Sequence, residues 1–93
     1  MNLQDFTKGW IIGNFNPSLF KTDQIEIAIK KYKCGDKESK HYHKIATEYT
    51  IVVLGKVKMA DRIFCANDIV VIEPNVKNEF ECIEDAILVV VKT

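Results

Sequence analysis

Apolar and polar residues alternate along this chain in short runs with a period of two. Ile25, Ile27 and Ile29 alternate with Glu26, Ala28 and Lys30, the pattern of a half-buried strand. Val57 and Met59 alternate with Lys56 and Lys58, and Val76–Ile83 alternates again. Ile69–Ile72 is an uninterrupted apolar run that reads as a buried strand, and Ala86–Lys92 closes the series. Further strands are predicted at Trp10–Phe15, Glu38–His43, Glu48–Leu54 and Ile63–Cys65. Turn chemistry separates these runs: Asn14, Asn16 and Pro17, Cys34-Gly35-Asp36, Gly55, Ala60-Asp61, Asn67-Asp68, Pro74-Asn75 and Glu84-Asp85. The expectation is eight or nine short strands. The one helical candidate is Met1–Gly9, which Gly9 would end within two turns.

Close, regular strand spacing points to an antiparallel sandwich or barrel, and pattern alone leaves an Ig-like sandwich, an OB-fold and a jelly roll open. A chain of 93 residues is expected to form one domain. Its 47% hydrophobic content allows folding without disulfides, although so small a domain buries a modest core and gains from self-association.

Charge excludes some partners. Thirteen basic and thirteen acidic residues cancel, and no basic block argues for nucleic acid. Lys30, Lys31, Lys33, Lys37 and Lys40 read as a solvated face. The polar start Met1–Asp5 has no basic-then-apolar signal segment, and the apolar runs are far shorter than a membrane span needs. Cys34, Cys65 and Cys82 form neither a disulfide framework nor a paired-thiol zinc pattern. The expectation is a cytoplasmic protein with reduced thiols.

The chemistry concentrates in one place. The two histidines of the chain, His41 and His43, sit two residues apart, so on a strand they share a face. Lys44–Thr47 is long enough for a hairpin loop that returns Glu48 beside them. Two imidazoles and a carboxylate from adjacent strands make a three-ligand set with open positions, suited to catalytic zinc or non-haem iron.

The spacing around this triad resembles the first motif of the cupin family: Gly, five residues, His-x-His, three or four residues, Glu, six residues, Gly. Here the pattern is filled by Gly35, His41, His43, Glu48 and Gly55. The resemblance covers residues 24–92 and implies an all-β double-stranded β-helix, a jelly-roll barrel, preceded by an arm of residues 1–23. The second cupin motif departs from the family. Asn67 and Asn75 replace its glycines, as residues that tolerate left-handed turns. Glu73 precedes the matching Pro74, and Cys82 stands at the trailing asparagine. Asn78 replaces the fourth ligand, histidine. Alternation puts Asn78, Phe80 and Cys82 on the inner face, and Glu79 and Glu81 outside. Asn78 could bind an ion weakly, hold a water at it, or serve only a structural hydrogen bond.

The resemblance implies a divalent ion (Zn, Fe, Ni or Mn) on His41, His43 and Glu48, with Glu73 and Lys77 at the pocket rim. Relatives that keep the triad include dioxygenases, isomerases and decarboxylases of small molecules, which sets one expectation. The other is a non-catalytic or metal-free cupin binding a sugar or small acidic ligand. A homodimer is expected, through a sheet edge or strand exchange around Trp10–Phe15. Tyr42 and Tyr49 alternate with the triad and should face away from it.

Overall fold

The computed structural model describes residues 1–41 and 45–93, the last three of the first stretch by backbone alone. The N-terminal segment forms two single-turn 3₁₀ helices, Leu3–Asp5 and Thr7–Gly9, rather than one helix. Asn2 caps the first: its Oδ1 accepts from the Gln4 N–H at 2.9 Å, and its own N–H donates to Asp5 at 2.8 Å.

Seven strands follow: β1 Trp10–Ile12, β2 Glu26–Tyr32, β3 Lys37–His41, β4 Glu48–Met59, β5 Arg62–Cys65, β6 Ile69–Ile72 and β7 Asn78–Lys92. All their pairings are antiparallel. The two long strands, β4 and β7, pair along their whole length, from Glu48 opposite Lys92 to Met59 opposite Phe80. Each changes its outer partner midway. The Glu48 half of β4 pairs with β6 and the Met59 half with β5. Along β7, residues 86–92 pair with β2 and the Asn78 half with β3. Two sheets therefore share two strands, and the barrel interior lies between them.

This sharing accounts for the lower strand count. Gly55 does not end a strand; it sits inside β4, where the β4–β7 register shifts. At φ +90°, a Cβ on Gly55 would lie 2.1 Å from the Asp85 carbonyl oxygen, an approach that glycine permits. Glu84-Asp85 is likewise not a turn, because β7 runs through it. There Lys56 and Glu84 are register partners joined by an ion pair at 3.2 Å. The irregularity acts as a β-bulge. Glu48, Thr50 and Val52 point inward before it, and Val57 and Met59 after it.

The core consists of Val52, Val57, Val70, Ile72, Cys82, Leu88 and their neighbours, with Trp10, Tyr32 and Phe64 packed at its margin. Alternation in β2 is present, but its fully buried member is Ala28; Ile27 and Ile29 are half-buried on the outer face. Inward β2 positions are instead Ala28, Lys30 and Tyr32. In β7, Asn78, Phe80 and Cys82 are buried and Glu79 is exposed, as alternation requires. The predicted turns at Ala60-Asp61, Asn67 and Asn75 all carry positive φ. Among the described residues, no helix is long and apolar enough to cross a membrane.

Candidate metal and ligand cavity

The barrel interior is apolar at the Gly55 bulge and polar at the opposite end. Glu48 begins β4, Lys92 ends β7, and the two are register partners. Asn78 begins β7 and is the register partner of His41, the last residue of β3. These two pairs stand at opposite ends of the β4–β7 ladder, and residues from both ends line one cavity.

That cavity measures about 210 Å³. Its floor is formed by Thr50, Met59, Phe80, Leu88 and Val90, and its polar wall by Glu48, Asn78, Glu38 and Tyr32. Lys30, Lys92 and Trp10 complete it. Glu48 and Asn78 are 8% and 5% exposed, so two polar side chains are withdrawn from water at the same place. Such burial is costly unless each polar group has partners. The Thr50 hydroxyl lies 3.4 Å from Glu48 Oε2 and donates to it. Asn78 Oδ1 accepts the Ala60 N–H at 3.2 Å, which occupies one of its two lone pairs.

The other wall is cationic and aromatic. The Lys30 and Lys92 ammonium groups lie 5.1 and 4.9 Å from the centre of the same Trp10 ring. Lys30 also donates to the Lys8 carbonyl oxygen at 2.7 Å. Burial holds the Lys30 ammonium below the ordinary lysine range, with Lys8 and Lys92 adding to the effect and Glu38 opposing it. The Tyr32 hydroxyl donates to Glu38 at 2.8 Å, and its ring packs against Phe80 with centroids 4.4 Å apart. Burial, then that hydrogen bond, pushes the hydroxyl well above the usual tyrosine range.

Of the residues expected at the site, the structure brings Glu48 and Asn78 to one cavity and puts the His41 backbone opposite Asn78. His43 and Tyr42 lie outside the described residues, as does the His41 side chain. Among the described residues, no three His, Cys, Asp or Glu side chains are grouped to hold a metal ion. Glu73 and Lys77 are exposed, on the connection from β6 to β7, and do not line the cavity. Tyr49 is 39% exposed, on the face of β4 opposite Glu48. Lys30, Lys92, Trp10, Tyr32, Glu38 and Thr50 were not singled out by the motif. The signal that could have found them is parity: Lys30 and Tyr32 follow Ala28 at intervals of two, and Thr50 follows Glu48.

No family model and no curated protein matches the sequence. Solved structures do match the fold. The chain is 18% identical to KdgF from a Halomonas species, with a TM-score of 0.69 over 76% of this chain and 69% of that one. Against a cupin-2 domain protein from Shewanella frigidimarina the identity is again 18% and the TM-score 0.68, over 98% and 91% of the two chains. An RmlC-like cupin from Methanocaldococcus jannaschii, described as a double-stranded β-helix, gives 23% and 0.69 over 77% and 72%. Some matched proteins are longer: this chain spans 64% of a Bacteroides fragilis cupin. The fold is that of a small cupin, an antiparallel double-stranded β-helix.

Proposed function

We propose that this protein is a small metal-binding cupin that holds one divalent ion (Zn, Fe, Ni or Mn) on His41, His43 and Glu48, open to a small polar metabolite. The observation that carries this reading is the shared cavity of Glu48 and Asn78. A buried carboxylate lines it, and the strand bearing His41 pairs with β7 at Asn78. These residues fit the group: a carboxylate withdrawn from water favours a cation beside it, and oxygen and imidazole donors suit all four metals. When bound, such an ion would polarise a substrate oxygen or activate water or O₂. The chain's own residues would shape the reaction by lining the cavity, with Thr50 orienting Glu48 and the apolar floor excluding water. A dioxygenase, isomerase or decarboxylase activity is the catalytic form of this proposal; a non-catalytic or metal-free cupin binding a sugar or small acidic ligand is its alternative. Elemental analysis of the purified protein decides between metal-bound and metal-free forms. A stoichiometric metal lost in His41→Ala and Glu48→Gln is expected, and its absence from the wild type after incubation with each of the four ions overturns the metal reading.

We also propose that the chain works as a homodimer, with the outer face of β2, β7, β4 and β6 as the contact in place of the edge around Trp10–Phe15 expected from the sequence, because Trp10 is occupied at the cavity with Lys30 and Lys92. Tyr49, Ile69 and Val71 are exposed there, beside half-buried Ile27, Ile29, Ile51, Val89 and Val91. These eight form an uncharged patch that a second copy can meet, with Lys31 the charged outward position of β2 beside it. The cytoplasmic location proposed for the protein rests on its three free thiols, of which Cys34 and Cys65 are exposed.

A further inference from the structure

The cavity contains a pair of cations that the metal site does not use. Lys30 reaches the mouth from β2 and Lys92 from β7, and both ammonium groups rest about 5 Å from the Trp10 ring. The two ammonium groups therefore lie no more than about 10 Å apart, and each disfavours the charge of the other. Among the described residues, neither ammonium has a carboxylate within ion-pair distance; the ion pair there is Lys56–Glu84, at the far end of the barrel. Lys30 spends one N–H on the Lys8 carbonyl, which leaves two. Lys92 faces Glu48 in register, yet its ammonium lies over the indole.

Charge around the cavity points the same way. Lys30 and Lys92 are balanced by Glu38 and Glu48, and Glu38 already accepts the Tyr32 hydroxyl. A divalent ion on the proposed triad then leaves the mouth with an excess of two positive charges. An anionic ligand would offset that excess. The volume limits its size, since 210 Å³ holds about seven waters at liquid density.

We propose that the ligand of this cavity is a small carboxylate, its negative oxygens held by the ammonium groups of Lys30 and Lys92 and its carbon skeleton lying against Trp10. This rests on the reading of the cavity as the ligand site. The two lysines set specificity by charge, while the triad holds the ion.

The test is calorimetric titration of the full chain, as metal-loaded and as chelator-treated protein, with acetate, pyruvate, malonate and succinate against acetamide and malonamide. At least one carboxylate is expected to bind saturably at millimolar concentration while both amides do not, with affinity falling as salt is raised. Lys30→Gln and Lys92→Gln should each weaken binding roughly tenfold or more, with Lys92→Arg retaining it. Metal content, measured in parallel, should be unchanged in all three variants. Equal binding of amides, no carboxylate binding to either form, or unaltered affinity in folded lysine variants would each overturn the proposal. Lysine-dependent carboxylate binding by a protein that takes up no metal would sink the triad and leave the carboxylate site standing.

Discussion

Lys92 is the register partner of Glu48 across the β4–β7 ladder, and its ammonium lies 4.9 Å from the centre of the Trp10 ring. Trp10 is the only tryptophan of the sequence, so its emission reports on this cavity alone. Adding Ni²⁺ or Cu²⁺ to the wild type is expected to quench that emission saturably. Glu48→Gln should require about 100-fold more metal for the same quenching. Equal quenching of both proteins would detach Glu48 from the ion.

The bulge in β4 gives a contrast between two glycines. At Gly55, with φ +90°, an added methyl would meet the backbone of Asp85 and Ala86 at 2.1–2.8 Å, whereas at Gly35, with φ +93°, it would meet nothing within 4 Å. Gly35→Ala therefore carries conformational strain alone, about 1–2 kcal/mol. Gly55→Ala adds a backbone clash that must open the β4–β7 pairing, and about 3 kcal/mol or more is expected. Urea melts of the two variants measure the difference, and equal midpoints would remove the bulge's role.

Tyr32 supplies a pH dependence. Its hydroxyl ionises less readily in the folded chain than in the unfolded one, through burial and then through the bond to Glu38. A raised folded pKa means the contribution to stability is complete below the ordinary tyrosine value of 10.0 and is lost as pH rises past it. Tyr32→Phe should cost about 1 kcal/mol at neutral pH. The gap between wild type and variant should narrow above about pH 10. A gap that stays constant in alkaline denaturant melts would refute this account.

The outer face of β6 tests the dimer. Ile69 and Val71 are 63% and 50% exposed, so Ile69→Lys with Val71→Lys leaves the core untouched. Sedimentation should show a dimer for the wild type and a monomer for the double variant at micromolar concentration, with unchanged circular dichroism. A wild-type monomer would end the proposal.

Sequence patterning carried much of this far. The run Ile69–Ile72 is β6 to the residue, and the inward set Asn78, Phe80 and Cys82 followed from a period of two. Glycine and acidic pairs misled where they lie inside strands. Gly55 and Glu84-Asp85 read as breaks because local propensity cannot see that β4 and β7 support each other through a bulge. The isoleucines of β2 misled for a related reason: the buried face there needs small Ala28 against Val90, while Ile27 and Ile29 cover the outside. Glu48 was legible because its motif is local. Lys30 and Lys92 were not, since 62 positions of chain separate two residues that meet at one indole.

The placement of β7 bears on how the chain is made. This last strand is hydrogen-bonded to β2, β3 and β4, so neither shared sheet exists until it has been synthesised. At about 5–20 residues per second, the earlier strands wait several seconds on the ribosome with their edges open. The β7-facing edges of β2 and β4 are then available to wrong partners, although β2 already has β1 beside it and β4 already has β5 and β6. Barrel closure is therefore the last step of assembly, and the edges of β2 and β4 stay open until β7 docks between them.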